Sequence, residues 1–443
     1  MKNILILGAG LVTKPIVRYL LDQPDFKVTV ATRTVSKAEN LINGHPRGTA
    51  KKLLLENKAD LSELISQADL VVSLVPYTYH PIVAEMCIAK GKNMVTTSYI
   101  SDAMKKLDDK AKKAGILILN EIGLDPGIDH MSAMRIIHSV KNNQGTIVSF
   151  HSYCGGLPAP EANTNPFGYK FSWSPRGVVL AGRNTGRYLK DGEIIEVESK
   201  NLFAHHWNVE IETIGTLEAY PNRNSLPYID LYGLHGISTM YRGTLRYPGW
   251  CDTWKKMVDL GLLDLEERND LEGLTFKEFI GKLINAEPDG DIKKSLATYL
   301  NIAPDSDIMK RFEWLGLLGN DPLPSGQKTP LDILAAKLLE KLQYEEGERD
   351  MIILHHDFLA EYPEKNRREK ITSTLIDFGI PGGDSSMART VSLPAAIASK
   401  LILEGKINET GVHIPVIPGI YEPVLNELET LGIVCQEKRE PVE

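Results

Sequence analysis

The chain reads as an α/β protein, with a doubly wound parallel sheet first and a mixed α+β domain carrying a helical insertion after it. Three observations predict this. A glycine turn joins an apolar run to an amphipathic helix at residues 4–21. Short apolar runs and helical periodicity then alternate as far as residue 120. After residue 146 the composition shifts to aromatic and β-branched residues punctuated by glycine and proline.

Residues 4–7 form an unbroken apolar run, too short for a helix. Gly8 permits a tight turn, and Gly10 allows the backbone to approach a pyrophosphate on the positive end of the following helix. That helix, residues 12–21, repeats Ile16, Val17, Leu20 and Leu21 on one face, and a second strand follows at 28–31. The unit is a dinucleotide-binding Rossmann element, with Thr13 where a third glycine is usual. An acid at the end of the second strand would hold the ribose hydroxyls of NAD, whereas an arginine pairs with the 2′-phosphate of NADP. Here Thr32, Arg33 and Thr34 follow the strand, so the expected cofactor is NADP.

Further strands are expected at 52–55, 69–75, 93–97 and 116–120, with helices at 61–66, 80–90 and 102–114, giving six parallel strands. A helix at 129–140 leads out of this sheet. Strands at 147–153, 194–197 and 208–213 suggest a mainly antiparallel sheet, and residues 251–344 have helical periodicity. Strands return at 350–355 and 371–378, followed by an amphipathic helix at 393–403 and a terminal helix with a short strand. The expected division is a dinucleotide-binding domain of residues 1–128 with 385–443 and a β-rich substrate-binding and dimerisation domain of 129–250 with 346–384. A helical insertion of 251–345 completes it.

A length of 443 residues predicts two or three domains. The net charge is -8, with Lys and Arg scattered, which argues against nucleic acid as a partner. No apolar stretch is long enough to span a bilayer, and Met1 leads into a strand rather than a signal peptide, so no membrane association is expected and the location should be cytoplasmic. Cysteines 87, 154, 251 and 435 are too far apart for C-x-x-C motifs and should be free thiols. The adjacent pairs His205-His206 and His355-His356, if in strands, face opposite ways. No metal is expected.

Three polar clusters fall where strands end, the usual ligand edge of an open α/β sheet. The first contains Thr96, Thr97, Ser98 and Tyr99. The second, residues 121–130, holds Glu121, Asp125 and Asp129 around two glycines and a proline. Such turn formers fix the backbone path. Asp129 suits a helix cap, leaving Asp125 for a ligand. The third runs from Ser152 through Cys154 to Glu161 and on to Trp173, where Cys154 and Trp173 could equally be packing residues. Downstream, Arg223, Arg242 and Arg246 lie beside aromatics and turn residues and suit recognition of carboxylates.

Ordered blocks covering nearly the whole chain carry a specific resemblance: GAGLVTKP, DLVVSLVPYTYH, MVTTSYIS, NEIGLDPGIDH, SYCGGLPAPE with NPFGYKFSWSP, AYPNRNS, YRGTLRYPGW, FEWLGLLG, YEEGERDM and MARTVSLPAAIASKLIL. The chain resembles the saccharopine reductase family, the NADP-dependent, L-glutamate-forming saccharopine dehydrogenases of lysine metabolism. The resemblance implies condensation of L-glutamate with α-aminoadipate semialdehyde, followed by hydride transfer from NADPH to the imine to give saccharopine. It implies cofactor contacts at Gly8, Ala9, Gly10, Leu11, Val12, Thr32, Arg33, Thr34, Val75 and Thr97. Saccharopine would meet Ser98, Tyr99, Asp125, Cys154, Trp173, Arg223, Thr244, Leu245 and Arg246, with Tyr99, Asp125 and Cys154 as acid-base candidates, in a homodimer formed through the β-rich domain. Other amine dehydrogenases, such as carboxynorspermidine synthase and lysine 6-dehydrogenase, resemble mainly the N-terminal unit. An NADP-sensing scaffold would need only that first domain.

Overall fold

Short strands, most of them buried on both faces except at the β3 edge, build the first sheet, as expected of parallel strands covered by helices. They are Lys2–Leu7 (β1), Phe26–Thr32 (β2), Gly48–Lys52 (β3), Leu70–Ser73 (β4), Asn93–Val95 (β5) and Leu117–Leu119 (β6). Leu5, Leu7, Val71 and Ile118 pack against Val83, Cys87 and Ala111 of the covering helices. The computed structural model describes residues 1–287 and 290–442. The expected helical segment 251–345 therefore includes residues 288 and 289, which lie outside the described residues. The chain forms two compact units, Met1–Ile147 with the stretch from Ala360 onward, and Val148–Leu359.

Two glycines fix the turns on which the site depends. At Gly8, with φ at 109°, an added Cβ would lie 2.7 Å from the Leu74 carbonyl oxygen. This brings the β1 turn against the end of β4. At Gly127, with φ at 148°, a Cβ would lie 2.0 Å from the Gly123 carbonyl oxygen. That close approach folds the 123–127 turn tightly onto itself before the helix Ile128–Asn142.

In the second unit lie Thr146–Pro158 (β7), which starts just before it, Gly186–Lys190 (β8), Glu193–Val197 (β9), Trp207–Ile211 (β10), Gly215–Pro221 (β11), Thr239–Arg246 (β12) and most of Asp350–Tyr362 (β13). Strand order runs β10-β11-β12-β7-β13. The pairs β10 with β11 and β11 with β12 are antiparallel, whereas β12 and β7 run parallel. The helices Trp250–Asp259, Phe276–Ile284, Ile292–Leu300, Asp307–Leu315 and Pro330–Lys341 form the helical segment. The second of these opens with a capping box between Thr275 and Glu278.

The first unit is completed by Arg367–Phe378 (β14), Gly411–His413 (β15) and Gln436–Val442 (β16). Its parallel sheet has seven strands in the order β15-β6-β5-β4-β1-β2-β3. The seventh, β15, pairs with β6 from about 300 residues downstream. β3 occupies 48–52 rather than the expected 52–55. The apolar triplet Leu53-Leu54-Leu55 suggested a buried strand, but the edge strand itself presents Lys51 and Lys52 to solvent, a charged edge that discourages further pairing. The helix expected at 102–114 is two, Asp102–Lys105 and Asp108–Ala114. The helix expected at 393–403 starts at Ser386, after the Ser385 cap. Its first turns bury Ser386, Thr390 and Ser392 along with Met387 and Ala388, so polar residues fall on the buried side and blur the periodicity. His205 and His206 lie in a turn before β10, not in a strand. No helix among the described residues is long and apolar enough to cross a membrane.

Gly127→Ala combines a poorly tolerated φ with a backbone overlap. It is expected to destabilise the protein by about 3 kcal/mol or more, read as a lowered midpoint in urea unfolding.

Candidate functional site

The glycine turn is tied by the residue that departs from the usual pattern. Thr13 is fully buried, and its hydroxyl accepts the Gly10 amide at 3.0 Å. The helix Thr13–Asp22 has no side-chain cap and no acid in its first turn. No acid of the helix's own first turn opposes its positive end, which suits anion binding. A Cβ at Gly10 would meet nothing within 4 Å, so Gly8, Ala9, Gly10, exposed Leu11 and Val12 leave a cradle that a phosphate can approach. Behind it, the Ser392 hydroxyl donates to the Val12 carbonyl, and Lys14 pairs with Asp384 at 2.7 Å.

Thr32 ends β2, Arg33 is exposed beside it, and Thr34 precedes the helix Val35–Ile42. Leu53 donates to the Thr32 carbonyl at 3.0 Å. Glu56, which accepts from the Tyr79 hydroxyl at 2.8 Å, is held below the usual carboxylate range first by its own backbone and then by Tyr79, with a smaller contribution from Arg33. No carboxylate occurs among residues 32–34, so these residues fit a 2′-phosphorylated dinucleotide. Val75 and Thr97 lie half-buried just beyond β4 and β5.

Beyond β5 the segment 96–100 is held from two sides. His80 places Nδ1 2.9 Å from the Ser73 hydroxyl, and Nε2 2.9 Å from the Ser98 hydroxyl and 3.2 Å from that of Thr96. Burial pushes its pKa down to about 4, so the ring is neutral, one nitrogen donating and the other accepting. From the other side the Glu121 amide donates to the Ser98 carbonyl at 3.1 Å. Between these anchors Tyr99 donates its hydroxyl to Asp125 at 2.8 Å. Ser98, Tyr99 and Asp125 are all half-buried. Asp129 is not the N-cap, a position taken by Gly127. It lies in the first helical turn and accepts the Gly127 amide.

The second unit sets its own row of residues. Register pairs Thr244 of β12 with Cys154 of β7 and with Tyr220 of β11, and pairs Arg246 with Glu218. Side chains alternate along a strand, so Thr244 and Arg246 share a face with Cys154. Leu245 points the other way and is fully buried; a Cβ on Gly155 would lie 2.9 Å from its own. Leu245 can serve a ligand only through its main chain.

Arg246 is buried in an aromatic cage. Its guanidinium lies 4.9 Å from the Tyr169 ring centre, 5.2 Å from Trp250 and 6.0 Å from Tyr220. One terminal nitrogen donates to the Leu245 carbonyl at 2.7 Å, while Nε has no partner among the described residues. Its register partner Glu218 is buried and accepts the amides of Gly249 and Cys251 at 2.6 and 2.8 Å. Burial raises the Cys251 thiol far above its usual range, and Glu218 raises it further. Arg223 is exposed in a turn after β11, with φ at 59°, and its carbonyl accepts the Arg187 amide at 2.9 Å. Trp173 is half-buried just before the helix Pro175–Ala181. Arg242 is buried with its guanidinium 4.2 Å from the Tyr228 ring centre.

Residues 4–119 match the family model described as the saccharopine dehydrogenase NADP binding domain, and residues 123–433 that of the saccharopine dehydrogenase C-terminal domain. The chain belongs to the saccharopine dehydrogenase family. It is 41% identical to the saccharopine dehydrogenase [NADP(+), L-glutamate-forming] of Schizosaccharomyces pombe, and 42% identical to that of Saccharomyces cerevisiae. In each case 99% of both chains is covered. It is also similar to a solved structure, the apo histidine-tagged saccharopine dehydrogenase (L-Glu forming) from Saccharomyces cerevisiae. There the TM-score is 0.91 and the identity 40%, covering 99% of this chain and all of that one. The expected fold, a doubly wound parallel Rossmann sheet with a mixed α+β domain, is the fold of this family, and the second sheet, expected to be mainly antiparallel, includes the parallel pair β12 and β7.

Sequence reasoning did not single out His80, Glu121, His130 or Glu218. His80 follows two tyrosines at a helix start without any periodic mark, and Glu218 lies inside an ordinary strand. Only the clustering of acids in 121–129 signalled Glu121.

The depressed pKa of His80 has a measurable consequence. Between pH 6.5, its ordinary value, and about pH 4, the unfolded chain takes up a proton that the folded one refuses. Stability therefore falls as pH is lowered through that window. His80→Gln is expected to remove about one proton from this slope, measured by urea unfolding at a series of pH values against the unsubstituted protein.

Proposed function

We propose that this chain is an NADP-dependent, L-glutamate-forming saccharopine dehydrogenase. L-glutamate condenses with α-aminoadipate semialdehyde, water leaves, and the imine is reduced to saccharopine in a reversible step of lysine metabolism. The observation that carries this reading is the end-to-end match to relatives named for that activity, covering 99% of both chains. When bound, NADPH supplies the hydride for the imine carbon. The chain supplies the binding, orientation and proton handling.

The helix start beyond Gly8 and Gly10 holds the pyrophosphate, and Arg33 pairs with the 2′-phosphate. Asp125, oriented by the Tyr99 hydroxyl, suits the amine. Its carboxylate stabilises the ammonium form, and the tyrosine-aspartate pair offers a proton path when the neutral amine attacks the aldehyde and water departs. Cys154 is a third acid-base candidate. Saccharopine carries three carboxylates. Arg223, Arg246 and the main chain at Thr244 and Leu245 offer the cationic and N–H partners these need, and a buried guanidinium with an unused Nε is the strongest of them. Ser98 and Trp173 complete the substrate contacts of this reading.

The same reading assigns dinucleotide binding to residues 1–128 with 385–443 and substrate binding and dimerisation to 129–250 with 346–384. The helical insertion is 251–345. The protein would act as a homodimer. The four cysteines form no disulfide, as suits the reducing cytoplasm.

The test is reduction of NADP by saccharopine, run beside NAD. Turnover with strong preference for NADP is expected, and no turnover with either cofactor would overturn the proposal. Arg33→Asp should raise the KM for NADP about tenfold or more and shift preference toward NAD; unchanged NADP affinity would remove Arg33 from the 2′-phosphate site. Arg223→Ala should raise the KM for the carboxylated substrate about tenfold at a nearly unchanged unfolding midpoint, because the side chain is exposed. An unchanged KM would take Arg223 out of the site.

A further inference from the structure

Glu121 is almost fully buried, at 3% exposure, and its φ is 58°. This left-handed conformation is uncommon for a long side chain and draws attention to what holds it there. Four contacts do. Its amide donates to the Ser98 carbonyl at 3.1 Å. Its carboxylate accepts the Ile100 amide on Oε1 at 2.8 Å and His130 Nε2 on Oε2 at 2.8 Å. Behind the ring, His130 Nδ1 lies 3.6 Å from Asp129. An ionised carboxylate only accepts, so His130 presents its proton on Nε2.

Glu121 thus touches the main chain on both sides of Tyr99, donating to the carbonyl of residue 98 and accepting the amide of residue 100. The next residue reaches elsewhere, since the Ile122 amide donates to the Thr96 carbonyl at 3.3 Å. One residue thus brackets Tyr99 on both sides, with His130 fixing the carboxylate.

We infer that Glu121 is a positioning residue: by bracketing the backbone around Tyr99 it sets the tyrosine hydroxyl on Asp125. This rests on the reading above, in which the Tyr99-Asp125 pair handles the substrate amine. What matters here is reach rather than charge. Gln keeps the length, still accepts the Ile100 amide and can donate to the other tautomer of His130. Asp keeps the charge but is one methylene too short to span both partners, and it tolerates a positive φ better than Glu, so backbone strain would not explain its defect.

Turnover of saccharopine, dissociation of NADPH followed by fluorescence, and amide exchange at Ile100 are measured for the unsubstituted protein, Glu121→Gln and Glu121→Asp. Glu121→Gln should stay within about threefold of normal kcat. Glu121→Asp should lose about tenfold or more in kcat, exchange the Ile100 amide about tenfold faster, and bind NADPH within about twofold of normal. Combined with Tyr99→Phe, Glu121→Asp should add less than about twofold to the loss, because both act through one hydroxyl. Normal kcat or normal Ile100 exchange in Glu121→Asp, an equal loss in Glu121→Gln, or additive losses with Tyr99→Phe would each overturn the inference. Should Glu121→Asp fail to fold, His130→Gln replaces it, with accelerated Ile100 exchange and non-additivity with Tyr99→Phe expected and their absence overturning the role. An unsubstituted protein inactive on saccharopine would instead overturn the functional reading, whatever the exchange at Ile100 shows.

Discussion

Polar groups buried at the carboxyl ends of parallel strands must find partners within the protein, because a buried donor or acceptor left unmatched costs about 1–3 kcal/mol. The first unit is arranged around that constraint. Ser73 at the end of β4 and Thr96 and Ser98 beyond β5 converge on one neutral imidazole, His80. Glu121 answers the same need on the other side, meeting Ser98, Ile100 and His130. Both buried histidines are thereby occupied as structural partners. The hydroxyl of Tyr99 and the carboxylate of Asp125 are left at the half-buried margin, where a ligand can reach them.

The second unit meets the same constraint with a charge. Removing a guanidinium from water is costly unless it is compensated, and Arg246 is compensated by aromatic faces and its own neighbouring carbonyl. Glu218 is itself stabilised by two amides at the start of the helix Trp250–Asp259, where the helix dipole favours a negative charge. A guanidinium held this way is already desolvated and oriented. A carboxylate that reached it would meet a stronger field than a surface arginine provides. The two units use different means, buried hydrogen bonds around His80 and Glu121 in the first and a guanidinium among aromatic rings in the second.

Local chemistry was legible wherever neighbouring residues carried it. Gly8, Gly10 and Arg33 declared a phosphorylated dinucleotide because turn, helix start and strand end lie within one βαβ unit. Thr13, which looked like a departure from the pattern, proves to tie the turn through Gly10. The cluster 121–130 was legible as a rigid turn, but not the division of labour within it: Asp129 accepts the Gly127 amide from inside the first helical turn, Asp125 meets Tyr99, and Glu121 reaches back to Ile100. Those roles depend on where each carboxylate points, which composition does not record.

The sequence by itself determined the alternation of strands and helices, the nucleotide-binding turn, the absence of an acid after β2 and the family to which the chain belongs. Each of these is written in adjacent residues or in ordered motifs. Only the tertiary structure decided that β15 joins the first sheet from about 300 residues away and that parallel pairing of β12 with β7 aligns Thr244 with Cys154 while turning Leu245 inward. It also decided that Arg246 is caged and that Glu121 meets the main chain on both sides of Tyr99. The reason is physical: side-chain periodicity says which residues of a segment share a face, whereas register between distant segments follows from how buried faces and polar groups are satisfied together.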